Sequence, residues 1–360
     1  MRPALWLAAL LVAAGCSDAP TAPTAPVRVD LSSGWLRASP GEVGMSAFAL
    51  LGAAGDASAI PRFRSLLVAR HGRLVAEYYF GGGDSTTLFD VRSVTKSVVC
   101  ALTGIALRDG VLPGTAAPIA RYLAAADTLD SADSAVTVRH LLTMTSGYAW
   151  DETAGPDYNS WIVADNHVQY LLDRAHAASP GATFTYNSAA VHTLGVVLEA
   201  AAATPLPGYA TGHLFGALGV DTVAWEPLDR GTVNGGSGIA LRARDLLKFG
   251  QLFLQHGWSG GTNVVPESWV DSVTRPQFTW RTAVGPLRQV TYGMLWWVSA
   301  ADPTAFFAWG YGGQFVYVVP SSDLVVVATT DWVQLTEITP TELAAQVLGV
   351  IVDDVVPAAR

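Results

Sequence analysis

The sequence predicts an α/β fold with an added all-α lobe: one antiparallel sheet flanked by helices, and a helical lobe inserted between the two parts of that sheet. Three observations predict it. Short β-rich runs occupy residues 65–80 and return after about residue 290. The stretch between them alternates helical runs with Gly/Pro/Asp-rich loops, and a last helical run covers residues 340–352. Strands at the two ends of a chain join most simply in one sheet, and the segment between them becomes a second lobe with a cleft at the junction.

Composition supports a folded chain with a large core. Of 360 residues, 50% are apolar and 14% are charged, which excludes a disordered or coiled-coil protein. The net charge is −9 and no Lys/Arg cluster stands out, so nucleic acid is not an expected partner.

The elements follow in order. Residues 1–15 hold one basic residue, Arg2, and an apolar run too short to span a membrane, the pattern of a secretory signal peptide. Ala13-Ala14-Gly15-Cys16 resembles a bacterial lipobox, with Cys16 as the lipidated residue, although alanine stands where leucine is usual. Ordinary cleavage is the alternative. The Ala-Pro-Thr repeats that follow read as a flexible tether over residues 16–34, leaving 35–360 as a single domain. Export to a periplasmic or cell-surface location is expected, with any membrane contact made only through the lipid. Within the domain, the sheet lobe takes about 35–92 and 275–360, and the helical lobe about 93–274.

Residues 65–80 form two β-rich runs around His71-Gly72, a hairpin. Residues 93–108 are helical and mostly apolar, so that helix is buried. A short helix within 136–148 ends at Gly147, and further helices are expected at 168–176, 189–202, 243–256 and 266–273. Strands then recur in the runs around Trp297, Phe306, Val316 and Val326, in the manner of a meander. Cys100, in the apolar run of the first long helix, reads as a core residue.

The chemistry concentrates at Ser93-Val94-Thr95-Lys96. Positions i and i+3 share a helix face, so Lys96 points back at the Ser93 hydroxyl, which lies at the helix start beside free N–H groups. Burial and neighbouring cations lower a lysine pKa and make its amine a base for that hydroxyl. The plain alternative is a capping serine with a solvated lysine. The seven histidines show no metal-ligand spacing, and no cofactor is expected. His140 and His192 read as packed or capping residues. The GGSG run at 235–238 reads as a loop, and the glycines at 310–313 lack the lysine of a phosphate loop. Trp150, Trp161, Trp297 and Trp309 fall near the proposed cleft and are candidates to line an apolar pocket.

With Tyr186-Asn187-Ser188 before a helix and Gly310-Tyr311-Gly312-Gly313-Gln314 entering a strand, the sequence resembles the serine β-lactamase and penicillin-binding-protein superfamily. Motif order and spacing agree over about residues 40–350. RHLLTMTSGYAWDE, GGSGIALRARDLLKFGQLFL and VVPESWV look like the same family. The flavour is that of class C-related esterases and amidases, the branch that includes 6-aminohexanoate-dimer hydrolase. The resemblance implies a β-lactamase/transpeptidase-like fold and a set of roles. Ser93 is the acylated nucleophile, Lys96 its base, and Tyr186 the proton carrier, its phenolate supported by Lys96. The backbone N–H groups of Ser93 and Gln314 form the oxyanion hole. Ser188, Trp309, Tyr311, Gly312 and Gly313 contact Lys96 or the substrate.

One departure bears on substrate. Tyr311 stands where β-lactamases carry lysine or histidine, which removes a contact to a substrate carboxylate. No local signature marks a deacylating glutamate; Glu152 and Glu226 qualify by residue type only and read as surface charges. The expected activity is that of an exported serine hydrolase acting on a small ester, amide or peptide. The alternatives are a true β-lactamase or D-aminopeptidase/carboxypeptidase, and a non-catalytic surface lipoprotein of the same fold.

Overall fold

The turn at His71 and Gly72, both at positive φ, closes the predicted hairpin and pairs Arg70 with Arg73. This hairpin is one edge of the main sheet in a computed structural model that describes residues 26–123, 127–300, 304–333 and 335–359. Cys16 and the signal segment lie outside the described residues.

In chain order the helices are α1 (Ala47–Ala59), α2 (Val94–Arg108), α3 (Val138–Leu142), α4 (Asp157–Trp161), α5 (His167–Leu172), α6 (Ser188–Ala202), α7 (Leu206–Ala210), α8 (Ala243–Leu254), α9 (Glu267–Val273) and α10 (Pro340–Gly349). The strands are β1 (Phe63–Arg70), β2 (Arg73–Tyr79), β3 (Leu88–Asp90), β4 (Ala224–Trp225), β5 (Ile239–Arg242), β6 (Trp258–Ser259), β7 (Thr262–Asn263), β8 (Thr282–Val284), β9 (Leu287–Tyr292), β10 (Trp297–Ser299), β11 (Ala305–Gly310), β12 (Gln314–Val319) and β13 (Leu324–Thr330). Among the described residues no single helix is long and apolar enough to cross a membrane.

Eight strands form one sheet in the order β2-β1-β13-β12-β11-β10-β9-β8, and every pairing in it is antiparallel. The two ends of the chain therefore meet where β1 pairs with β13, as the sequence predicts. Every residue of β13 is buried, so its valine run is a core strand covered on both faces. Side chains alternate across it. Val325 and Val327 join the core shared with α8 and the helical lobe, while Val326 and Ala328 join the core beneath α1 and α10. Gly250 lets α8 lie close on this sheet, since a Cβ there would stand 2.6 Å from Val325 Cγ1 and 2.7 Å from Val316 Cγ1.

Three features differ from the sequence expectation. The helix at 243–254, assigned to the helical lobe, packs on β13, β12 and β1 and so belongs to the sheet. The tether does not extend to residue 34. Val27, Val29 and Leu31 each donate a backbone N–H to the body, to Asp323, Gln255 and Ser259, and Leu31 is buried. The Ala-Pro-Thr repeats have ended by then, and the Val29 and Leu31 side chains that follow pack on the core, while Val27 stays exposed. A small sheet, β3-β5-β4, also forms within the helical lobe. Its strands are too short to show as a period in the sequence, yet it fixes the segment that leads into α2, where Val91 N–H donates to the Ile239 carbonyl.

Candidate active site

Residues 91–96 place the chemistry. β3 ends at Asp90, Arg92 takes a left-handed conformation at φ 49°, and α2 begins after Ser93. Asp90 Oδ1 accepts the Arg92 N–H, and Thr95 Oγ1 both donates to the Arg92 carbonyl and accepts Ile239 N–H. This sharp entry leaves Ser93 partly exposed at the head of a helix that is otherwise buried down to Ala106. The Ser93 side chain makes no capping bond to α2. Lys96 is 1% exposed and donates to Ser93 Oγ at 2.8 Å, so neither the capping serine nor the solvated lysine describes this pair.

Lys96 has two further acceptors, Ser188 Oγ at 2.8 Å and the Gly236 carbonyl at 2.7 Å. Ser188 arrives on the first turn of α6, whose cap is Asn187, the side chain of which accepts Ala190 N–H. Gly236 must be glycine, because a Cβ there would lie 2.5 Å from the Ser188 carbonyl oxygen. Burial lowers the Lys96 pKa to about 8; the Glu152 charge opposes this and the Arg92 charge adds to it.

Tyr186 lies against the same amine. Its ring centroid is 4.9 Å from Lys96 Nζ, and the ring stacks on Trp297 at 6.0 Å and 27°. Here the structure corrects an expectation. Burial, followed by the Glu152 charge, raises the phenol above its ordinary value, against a hydrogen bond with Ser93 and the Arg92 charge. Lys96 meets the face of the ring, so Tyr186 is a neutral phenol able to give a proton, in place of a phenolate sustained by lysine.

Glu152, which sequence reasoning assigned to the surface, lies in this cluster. Its Oε1 accepts the Ser188 hydroxyl at 2.7 Å, and its Oε2 accepts Ser188 N–H at 2.6 Å and the Trp150 indole N–H at 2.8 Å. The signal available for it was its position in the Ser146–Glu152 run beside a tryptophan. Glu226 is exposed, as expected, and accepts from Asn234 Nδ2 at 2.6 Å.

The third-motif segment sits beside this group. A Cβ on Gly310 would stand 2.2 Å from the Val91 carbonyl oxygen, so β11 backs directly onto the segment that carries Ser93. β10 pairs with β11 only as far as Phe307 in the direction of the site, which leaves the edge of Ala308, Trp309 and Gly310 free on that side. Gln314 opens the second strand of the β11–β12 hairpin, opposite Gly310. It stands on β12, an interior strand between β11 and β13, and its buried side chain is tied to Thr330 through three hydrogen bonds. Tyr311 is 53% exposed and meets Trp332 edge-on, while Gly312 and Gly313 turn the hairpin at φ 75° and 101°. Arg92 lies over the Trp332 ring at 4.4 Å and donates to Tyr158 Oη at 2.7 Å. Trp309 and Trp297 are partly buried with ring centroids 5.4 Å apart; Trp297 carries the Tyr186 ring, whereas Trp309 stacks on Phe315 and packs with the core beneath α1 and α10. Trp150 and Trp161 do not line the site, since both are buried in the core. Cys100 is fully buried, its thiol pushed up by burial, and it donates to the Met294 carbonyl. His140 accepts Thr137 N–H as a cap, and His192 is buried.

A family model described as Beta-lactamase matches residues 49–348. Among curated proteins, the 6-aminohexanoate-dimer hydrolase of Paenarthrobacter ureafaciens is 24% identical over 288 residues, 74% of this chain and 72% of that protein. The esterase EstB of Burkholderia gladioli is 30% identical over 184 residues, 45% of this chain and 44% of that protein. Among solved structures, EstCE1, described as a hydrolase with promiscuous acyltransferase activity, superposes with a TM-score of 0.67 at 18% identity, over 85% of this chain and 98% of that one. A β-lactamase/D-alanine carboxypeptidase from Yersinia pestis, complexed with citrate, also gives 0.67 at 18% identity, over 86% and 95%. At these identities the structural likeness speaks for the fold.

Proposed function

This chain belongs to the Beta-lactamase family, and on that premise we propose that it is an exported serine hydrolase cleaving ester or amide bonds through an acyl-enzyme on Ser93. The observation that carries the reading is a buried Lys96 amine, its pKa lowered to about 8, held 2.8 Å from Ser93 Oγ at the head of α2. In its neutral form the amine takes the Ser93 proton as the oxygen attacks the substrate carbonyl carbon. Negative charge then develops on the carbonyl oxygen. The Ser93 N–H, at the helix start, and one N–H from the free β11 edge at Trp309–Gly310 receive it, in place of the donor expected at Gln314. Tyr186, a neutral phenol hydrogen-bonded with Ser93, protonates the leaving oxygen or nitrogen, and the proton on Lys96 passes back to it by way of the Ser93 oxygen that both groups touch. Water then attacks the acyl-Ser93 carbonyl with its proton passing to Lys96, and the acid and Ser93 hydroxyl are released.

The relatives support the substrate class, since those matched in sequence are named hydrolase and esterase. A β-lactamase or peptidoglycan-peptidase activity is the second reading. Tyr311, exposed where that chemistry uses a cation, argues for esters and simple amides instead. A non-catalytic lipoprotein would have no use for a base, a nucleophile and an acid held together. We also propose that Cys16 is lipidated and that the enzyme is anchored to a bacterial membrane; mass spectrometry of the natively expressed N-terminus tests this, and an unmodified chain starting beyond residue 16 refutes the anchor.

The function is tested with a fluorophosphonate probe and a panel of p-nitrophenyl esters, nitrocefin and short amides. The probe is expected to add mass to the peptide holding Ser93, and Ser93→Ala to abolish both labelling and turnover. Labelling of a different serine in active protein overturns the assignment.

A further inference from the structure

We propose that Glu152 is a positioning residue that fixes the direction of the hydrogen bonds around Lys96 and thereby aims the lone pair of the neutral amine at Ser93. The inference rests on the acyl-enzyme reading given above and goes beyond it in naming what orients the base.

The donors on Lys96 can be counted against their acceptors. An ammonium has three donors and Lys96 has three acceptors around it: Ser93 Oγ, Ser188 Oγ and the Gly236 carbonyl, at 2.8, 2.8 and 2.7 Å. The neutral amine has two donors and one lone pair. That lone pair is useful only if it faces Ser93. The Gly236 carbonyl can only accept, so one N–H is committed to it. Ser188 is ambiguous by itself, because a hydroxyl either donates or accepts. Glu152 removes the ambiguity. Its Oε1 takes the Ser188 proton at 2.7 Å, and its Oε2 is filled by the Ser188 and Trp150 N–H groups. An ionised carboxylate has no proton to return. Ser188 must therefore accept from Lys96, the second N–H goes there, and the lone pair is left for the Ser93 hydroxyl. With the Glu152 orientation lost, the Ser188 proton is free to turn toward the amine and occupy the lone pair with the wrong hydroxyl.

The same carboxylate sets the charge of the site. The ionisable groups facing Lys96 are Arg92 ahead of α2, Glu152 on the loop after α3, and Tyr186 ahead of α6, with Tyr292 of β9 edge-on to Tyr186. Both tyrosines are held neutral. The Glu152 charge raises the Lys96 pKa and that of Arg92 lowers it.

Glu152→Gln separates orientation from packing. The amide keeps the size of the side chain. With its oxygen accepting the Ser188 and Trp150 N–H groups, its NH2 donates to Ser188 Oγ and reverses the direction of that bond. The expected result is a fall in kcat on a p-nitrophenyl ester of about 10- to 100-fold, a share of what a general base contributes, together with a shift of the acid limb of the pH profile to lower pH. The chain contains two lysines, Lys96 and Lys248, so 13C-lysine NMR reads the Lys96 titration directly, with Lys248→Arg giving the assignment. The Lys96 midpoint is expected to be lower in Glu152→Gln than in the wild type. Loss of kcat with both the limb and the NMR midpoint unmoved would show a merely structural role and overturn the proposal, as would an unchanged kcat. The double variant Ser188→Ala/Glu152→Gln should be no slower than Ser188→Ala, because the effect runs through the Ser188 hydroxyl; additive losses overturn it. If circular dichroism shows Glu152→Gln unfolded, Ser188→Ala carries the test alone, and an undiminished kcat there refutes the relay. Absence of hydrolysis and labelling in the wild type would refute the acyl-enzyme reading instead, while the NMR titration still reports whether Glu152 holds Lys96.

Discussion

If the neutral Lys96 amine is the base, the rate at sub-saturating substrate follows its neutral fraction, and pH is the perturbation that isolates it. Burial sets the lysine near 8. A single proton equilibrium at that value leaves roughly 1% neutral amine at pH 6, roughly 10% at pH 7, half at pH 8 and roughly 90% at pH 9. The ratio kcat/KM, which reports the free enzyme, should therefore rise about tenfold from pH 6 to 7, about fivefold from 7 to 8, and less than about twofold from 8 to 9. Tyr186 acts from its protonated form, and its pKa is raised above the ordinary phenol value, so no descending limb belongs below about pH 10. Initial rates on a p-nitrophenyl ester, corrected for spontaneous hydrolysis at each pH, measure this. A profile flat between pH 6 and 9, or one that falls as pH rises, would refute the lysine base, because no neutral fraction of this amine behaves that way.

Other expectations follow from the same contacts. Lys96→Ala and Tyr186→Phe should each lower kcat by about 100-fold or more, and the double variant should be little worse than the worse single one, since the base and the acid serve one transfer; near-full kcat in Tyr186→Phe on both an ester and an amide removes it as proton carrier. Gly310→Ala would set a Cβ 2.2 Å from the Val91 carbonyl oxygen and push the segment that carries Ser93, so kcat should fall on the order of 100-fold, as for about 1 Å of misplacement, in protein whose circular dichroism is unchanged. Gly104→Ala would set a Cβ 2.2 Å from Trp269 Cδ1 and should lower stability to urea by about 1–3 kcal/mol through overpacking. His192 is held neutral, its pKa lowered to about 4 by burial first and then by His167. The unfolded chain takes up a proton near pH 6.5 that the native state refuses, so stability is lost as pH falls from there to about 4, by about 3 kcal/mol from this group; urea titrations at pH 7 and pH 4.5 should show a smaller difference in His192→Gln.

The parts of this site that were legible in the sequence are the local ones. Ser93 and Lys96 sit one helical turn apart, and the period of a helix brings them together whatever the remainder of the chain does. The β1–β2 hairpin was legible for the same reason, since its turn residues lie between its strands. The run of consecutive valines in β13 announced a strand, although only the sheet order shows that both faces are covered. Glu152 and Gly236 were not legible. The first reaches Ser188 across 36 positions and the second reaches Lys96 across 140, and neither separation leaves a period behind. An acidic residue in a loop is usually solvated, and a glycine-rich run usually only turns the chain. The reason for glycine at 236 is the nearby Ser188 carbonyl, which no stretch of sequence contains. The backbone donor expected at Gln314 is a related case. Motif order placed it at the strand entry, but which edge of the hairpin faces the nucleophile depends on where β10 stops pairing with β11.

On the proposed reading, these long-range contacts also explain how a buried amine would work as a base. Removing Lys96 from water favours its neutral form, and alone that would leave an amine with an undirected lone pair. The Glu152 carboxylate restores part of the preference for the charged form and, through Ser188, dictates where the lone pair points. Arg92 acts in the opposite sense on the charge, held by Tyr158 and Trp332 one residue before the nucleophile. The value near 8 is thus a balance of burial, one anion and one cation. A chain that kept only the Ser93–Lys96 pair would have the nucleophile and the base but would lack the groups that orient and tune them. The four-residue motif is common by chance, while a site of this kind also needs the first turn of α6 and the turn at Gly236 to converge on one nitrogen, with Glu152 behind Ser188.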